Sequence, residues 1–207
     1  MAVMLGILPL RAQWSPSFGA RLSMELTSPS GGRDFYKLGA GFTVGATARL
    51  PLYRQLWFEP GVLFAYSAMT SKELVTFDDE YFYQGAANLY SLRIPFNFGY
   101  DFYLTDNMTL GVFTGPWLNI NLSAQQKLTP NLAAPVPLPD RKINLFEHGW
   151  KRVDGQWGFG LSLTFAKSYY VGITGGVAFT PLASYGNKDK KIRIHRNTVA
   201  ISLGYNF

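Results

Sequence analysis

The sequence predicts an all-β fold: an eight-stranded, antiparallel, up-and-down transmembrane β-barrel. Three observations point there. Apolar and small or polar residues alternate with period two in eight segments, each close to the ~9–11 residues that a tilted membrane strand needs. The connections between these segments are alternately short and long. Aromatics make up 16% of the chain and charged residues only 15%, against about 25% charged in an ordinary soluble domain. Mean hydropathy is nonetheless +0.01, and no run of about 18 apolar residues occurs, which excludes helical spanning. A barrel hides its apolar content in every second residue.

The 207 residues suffice for one domain with a full core. Met1 to Gln13 resembles the apolar region and cleavage end of a secretory signal peptide, closing on Arg11-Ala12-Gln13 before Trp14. The usual basic start is missing. The sequence therefore predicts a signal-peptide remnant over 1–13, with an upstream start codon or a truncated leader, and a barrel domain over 14–207.

The first strand is expected near Ser17–Thr27, with Phe18, Leu22, Met24 and Leu26 on one face. The second, near Lys37–Leu50, sets Leu38, Phe42, Val44 and Leu50 against Gly39, Gly41, Thr43, Gly45, Thr47 and Arg49. The third runs near Trp57–Ala68 and the fourth near Tyr90–Tyr103, where Tyr90, Leu92, Ile94, Phe96, Phe98, Tyr100 and Phe102 share a face. The fifth is expected near Met108–Leu122, the sixth near Gln156–Ala166 and the seventh near Tyr169–Thr180. The eighth, Thr198 to Phe207, stays amphipathic to an aromatic last residue, with Tyr205 and Phe207 in phase. It looks like the closing strand of a bacterial outer-membrane barrel, in which such aromatics mark the chain for insertion.

Short links fall near Pro51–Gln55, Leu104–Asn107 and Lys167–Ser168. Long ones fall over Ser28–Tyr36, Thr70–Ala87, Ser123–Gly155 and Pro181–Asn197. This rhythm matches periplasmic turns and external loops. Size decides which face points in. An eight-stranded barrel has just enough interior for side chains. Two or three large aromatics per strand would not fit, whereas rows of Gly and Ser would.

On this phase Arg21, Glu25, Glu59 and Arg93 point into the lumen. Opposite charges in so narrow a space must pair, at several kcal/mol per unpaired ion, so they are expected to form one ion-pair cluster that plugs the barrel. Phe113 and Trp117 also face inward and narrow the lumen. No open diffusion pore is expected.

The rest of the chain offers little chemistry. Cysteine is absent, which removes disulfides and thiol chemistry. Neither His148 nor His195 sits in a metal-ligand spacing. Ser184, Asp189 and His195 share a loop region without a catalytic spacing. Gly172-Ile173-Thr174-Gly175-Gly176 lacks the Lys-Ser/Thr and following helix of a nucleotide loop. The net charge is +6, but the basic residues form no single stripe of the kind nucleic acid requires. Lys188, Lys190, Lys191, Arg193 and Arg196 form instead a basic loop that could bind anionic lipid, with Arg141, Lys142, Lys151 and Arg152 in the longest connection. Phe77 to Tyr83 is acidic and aromatic, a partner-binding loop or a cap on the barrel mouth. Pro130 to Pro139 cannot extend a strand far.

Glu59-Pro60-Gly61-Val62-Leu63-Phe64, Leu92-Arg93-Ile94-Pro95-Phe96 and Tyr100-Asp101-Phe102 together resemble the PorT-like outer-membrane β-barrel family of Bacteroidota, whose third and fourth strands carry a Pro within apolar alternation. The chain departs from that family in its longer Pro-rich fifth-to-sixth connection. The resemblance implies an eight-stranded outer-membrane barrel without catalytic residues, some members being components of a type IX secretion apparatus. The expected role is structural or interactive, without cofactor or metal, as a scaffold, surface binder or accessory to a secretion or uptake assembly. The expected partners are outer-membrane lipid and lipopolysaccharide, the barrel-assembly machinery and a cell-envelope protein, not nucleic acid. Two alternatives stand beside it: a lipid-modifying enzyme at the barrel rim, and a soluble lipocalin-like carrier with its aromatic face inside.

Overall fold

The computed structural model describes residues 15–31, 36–70, 75–77, 81–130, 141–185 and 192–207. Eight long strands form a closed ring: β1 (Ser17–Ser30), β2 (Gly39–Tyr53), β3 (Leu56–Thr70), β4 (Tyr81–Thr105), β5 (Met108–Pro130), β6 (Val153–Phe165), β7 (Tyr169–Ala178) and β8 (Ile192–Asn206). Each pairs antiparallel with the next, and β8 pairs back onto β1 from Gly19↔Asn206 to Ser30↔His195. Closure leaves no sheet edge to satisfy in lipid. Three short strands, Val75–Phe77, Arg141–Asn144 and Ala183–Tyr185, add to β4, β5 and β8 at the loop end. Two of the three tight turns bring residues into the left-handed region, Arg54 at φ 53 in one and Ala166 and Lys167 at φ 48 and 61 in the other.

Period-two alternation fixes which side chains meet lipid. Met24, Phe98, Phe159, Leu161, Ile173 and Ile201 all stand exposed on the outer wall. That placement overturns the soluble-carrier alternative, which needs these groups around an internal cavity. Aromatic girdles mark both ends of the apolar belt. At the turn end Phe165, Tyr169, Tyr205 and Phe207 pack in succession, with centroids 5.7, 5.5 and 5.3 Å apart. At the loop end Phe42, Tyr66 and Tyr90 do the same at 5.6 and 5.0 Å, and the Tyr66 hydroxyl donates to Asn88 Oδ1 at 2.8 Å. The C-terminal strand is held to its last residue, where Phe207 N donates to the Phe18 carbonyl at 2.8 Å.

Several strands outrun their expected limits. β4 begins at Tyr81 and not Tyr90, β5 continues to Pro130 and not Leu122, and β8 begins at Ile192 and not Thr198. The expected long links therefore contain strand, and Leu145–His148 adds a 3₁₀ turn. Of the acidic-aromatic segment Phe77 to Tyr83, Phe77 and Tyr81–Tyr83 are strand, Val75–Phe77 pairing with Tyr81–Tyr83, and residues 78–80 lie outside the described residues. The reason is an inversion of phase above the membrane. There the outward residues are polar, as at Asn88, Gln125 and Lys127, and the inward ones are Met69, Ala87, Leu89, Ala124, Leu128 and Ile194. A register shift opposite Tyr90/Ser91 lies where the pattern changes. The expected leader (1–13) and the Pro-rich segment beyond Pro130 (131–140) lie outside the described residues.

Candidate functional site

The lumen is filled in three layers. Nearest the turns, Glu59 on β3 accepts from Arg49 Nε at 3.0 Å and Arg21 Nη2 at 3.4 Å. Arg49 also reaches Asp101 at 3.3 Å, whose other oxygen takes the Trp57 indole N–H at 2.8 Å. Both guanidiniums lie over rings, Arg21 at 4.1 Å from the Tyr170 centroid and Arg49 at 4.0 Å from that of Trp57. Each ring adds attraction for a cation on its face. Above them, β5 sends Phe113 and Trp117 across the bore, and Trp117 Nε1 donates to Asn97 Oδ1 at 2.8 Å. The bulk fits because glycine faces it: a Cβ at Gly158 would fall on the Trp117 indole, and one at Gly99 on Trp57.

The second layer is a continuous chain of hydrogen bonds. Arg93 clasps Glu25 with two bonds, at 2.5 and 3.1 Å, and donates from Nε to Asn119 Oδ1 at 3.0 Å. Asn119 passes on to Asp154 at 3.1 Å and Gln156 at 3.2 Å. Asp154 accepts Arg196 Nη2 on both oxygens, at 3.1 and 3.0 Å, and Asn121 Nδ2 at 2.9 Å. Among the described residues the two ionic layers hold four guanidiniums (Arg21, Arg49, Arg93, Arg196) against four carboxylates (Glu25, Glu59, Asp101, Asp154). The bore is thus internally neutral.

The third layer is apolar. Tyr36, Met69, Ala87, Leu89, Leu145, Trp150, Leu182 and Ile194 pack into one buried cluster across the loop end. A cavity of about 50 Å³ between Arg21, Glu59, Asn97 and Trp117 remains in the bore. It has room for water but not for a passing solute.

These positions revise parts of the expectation. Arg21, Glu25, Glu59 and Arg93 all lie inside, but as two separate pairs, Arg93 with Glu25 and Arg21 with Glu59. Phe113 and Trp117 lie in the bore, 6% and 5% exposed. Arg49 and Asp101 follow from the alternation of β2 and β4 and belong with them. Asp154 and Arg196 do not follow, because both lie beyond the expected strand limits. Arg196 is correspondingly no part of an exposed basic loop: it is 2% exposed and bound to Asp154. Arg193 is exposed, while Lys188, Lys190, Lys191 and Asp189 lie outside the described residues. Ser184 pairs opposite Arg193, two residues before His195 on β8. Tyr205 and Phe207 sit in the turn-end girdle.

Replacing Glu59 by leucine strands Arg21, while Arg49 keeps Asp101. The expected cost is about 3 kcal/mol, read as a lower melting temperature in detergent, with Glu59→Gln milder. Conductance gained at unchanged melting would make this pair a gate and not a plug.

A family model described as outer membrane protein beta-barrel domain matches residues 9–185. No curated protein matches. Among solved structures, the chain is similar to Ail, the attachment invasion locus protein of Yersinia pestis, at 13% identity and a TM-score of 0.43, covering 93% of this chain and 97% of that one. It is similar to Neisserial surface protein A at 12% identity and a TM-score of 0.45, over 93% and 97%. A third likeness is the N-terminal β-barrel domain of Pseudomonas aeruginosa OprF, at 14% identity and a TM-score of 0.35, over 93% and 100%.

Proposed function

The chain belongs to the outer membrane protein β-barrel domain family, and from that premise we propose that its work is done by its wall and outer rim and not by a pore. It resides in the outer membrane, with turns towards the periplasm and long connections outside. The observation that carries the reading is the filled bore: two ion-pair layers under an apolar cluster. Such a cylinder is a rigid post that presents its rim to the surroundings. On this reading the rim contacts outer-leaflet lipid and lipopolysaccharide and can dock a cell-envelope protein. The terminal Tyr205 and Phe207 serve as the recognition end for the barrel-assembly machinery. Membership of the PorT-like group, with an accessory place in a secretion or uptake assembly, is the finer form of this proposal. It is supported by Pro60 and Pro95, which interrupt pairing within otherwise apolar strands.

The test is conductance. The refolded barrel, inserted in a planar bilayer, is expected to give no discrete open-channel steps. Regular steps of one size would overturn the plugged reading.

A further inference from the structure

We infer that the outer wall carries a specific site for a phosphorylated, multiply acylated glycolipid of the lipid A class, with its acyl chain in a groove over the β5–β6 seam and its phosphate on Lys151. The inference rests on the rim-binding reading above and names its lipid and its site.

The groove has a volume of about 450 Å³, and its lining includes Phe96, Pro116, Leu118, Val153 and Phe179, with Lys151 at one end. That volume lies in the ~300–1,000 Å³ range of ligand-sized clefts. Local chemistry explains why the wall is hollow there. Pro116 lacks a ladder N–H, and β4–β5 pairing lapses between Pro95↔Trp117 and Phe98↔Thr114. On the facing strand Gly155 has no Cβ, and one placed there would fall on the Phe179 ring. The Phe179 ring, laid against Gly155, thus forms one apolar wall of the groove, and the lapse in pairing beside Pro116 opens the wall next to it.

Charge distinguishes this groove from others on the belt: its lining holds Lys151, while Asp154, also in the lining, is buried and paired with Arg196. A larger one, about 760 Å³, lies among Leu26, Leu38, Phe159, Ile173, Val177 and Val199 and has no charged residue in its lining. It offers nothing beyond ordinary chain contact. Lys151 stands two residues past Val153, the first outward apolar residue of β6. Along this segment the groove's lining runs from Lys151 to Gly155, roughly 13 Å of extended chain, a span that holds the headgroup-proximal part of an extended acyl chain. The lysine's backbone is anchored by Lys151 N donating to the Leu182 carbonyl at 2.8 Å, its side chain is exposed, and it makes no ion pair among the described residues. Beside it Arg152 stacks on Phe146 at 4.6 Å, which adds positive potential without blocking the groove. A lysine at the hydrocarbon boundary presents its ammonium to the headgroup layer. With an acyl slot directly below it, the complementary ligand has a phosphate immediately above its chains. On the outer face of this membrane, where the long connections lie, that ligand is the glycolipid of the outer leaflet.

The test uses the full barrel in detergent, titrated with bisphosphorylated lipid A, its dephosphorylated form and phosphatidylglycerol, with bound lipid counted by native mass spectrometry. The parent is expected to retain lipid A in preference to both other lipids. Lys151→Glu should bind it about tenfold more weakly, with unchanged circular dichroism and unchanged heat-modifiable migration. Lys142→Glu and Arg193→Glu, exposed elsewhere on the rim, should stay within about twofold of the parent. Equal retention by Lys151→Glu would overturn the site. If all three variants lose affinity alike, the site falls while rim binding of anionic lipid stands. If phosphate makes no difference in any of them, both fall. Phosphatidylglycerol retained as well as lipid A would overturn the glycolipid assignment.

Discussion

Replacing Asp154 by leucine is expected to destabilise the barrel more than any other single change to a lumen carboxylate. Four hydrogen bonds from three side chains converge on this group: two from Arg196 Nη2, one to each oxygen, and one each from Asn119 and Asn121. Both ends of the ion pair are 2% exposed. Removing the acid leaves a guanidinium with only the Ser91 hydroxyl, at 3.3 Å, as a side-chain acceptor. Breaking a buried pair from one side costs about 3–5 kcal/mol, because the remaining charge is uncompensated. Asn119 and Asn121 keep Gln156 and the Lys151 carbonyl as acceptors and each lose one bond, which adds roughly 1 kcal/mol apiece. Replacing both partners, Asp154→Leu with Arg196→Met, should recover much of the loss, since no charge is then stranded. The measurement is a double-mutant cycle by denaturant unfolding in lipid vesicles. A single-variant loss under about 1 kcal/mol would mean that water reaches Arg196 from the rim and that the second layer is not sealed.

The same residues mark where the sequence is legible. Within the bilayer the rule is that large apolar groups face out and small or polar groups face in, apart from the bore-filling rings of Trp57, Phe113, Trp117 and Tyr170. It places Arg21, Glu25, Arg49, Glu59, Arg93 and Asp101 inside from alternation alone. Above the bilayer the solvent is water, and the rule reverses. Ala87, Leu89, Ala124 and Ile194 turn inward as in a soluble barrel, and Lys127 and Arg193 turn out. A reader who follows a single phase sees the alternation break near Tyr90, Leu122 and Thr198 and infers loops there. Asp154 and Arg196 lie just across that boundary, so alternation alone does not place this ion pair in the bore.

Partner choice within the bore was also beyond reach, for a different reason. Alternation gives the face of a residue but not its height. Height depends on strand register, and register depends on the stagger of the closed ring. Glu25 and Glu59 both face inward, yet only the register sets Glu25 level with Arg93 and Glu59 level with Arg21 and Arg49. The lipid groove is hidden from the sequence likewise. Pro116 and Gly155 can be seen singly, but that they lie on neighbouring strands beneath Lys151 is a fact of pairing.

Trp117→Ala separates two ways in which the bore could be closed. The indole is 5% exposed, holds Asn97 and lies 5.1 Å from the Arg93 guanidinium. Truncating a buried Trp costs about 3–5 kcal/mol in lost contacts and residual cavity. The cavity should persist, because the glycine at 158 has no side chain to move into the space. Melting in detergent should therefore fall sharply, and Trp117→Phe should restore most of it, missing only the hydrogen bond to Asn97. Conductance should nevertheless stay absent. Above the emptied space the Glu25–Arg93 clasp still spans the bore, and the cluster of Met69, Leu89, Trp150 and Ile194 still covers it. Ion flow through Trp117→Ala would show that one aromatic gate closes the barrel and that the layers above it leak. Silence combined with the stability loss is the signature of redundant closure, in which the arginine network and the apolar cluster each suffice to stop an ion.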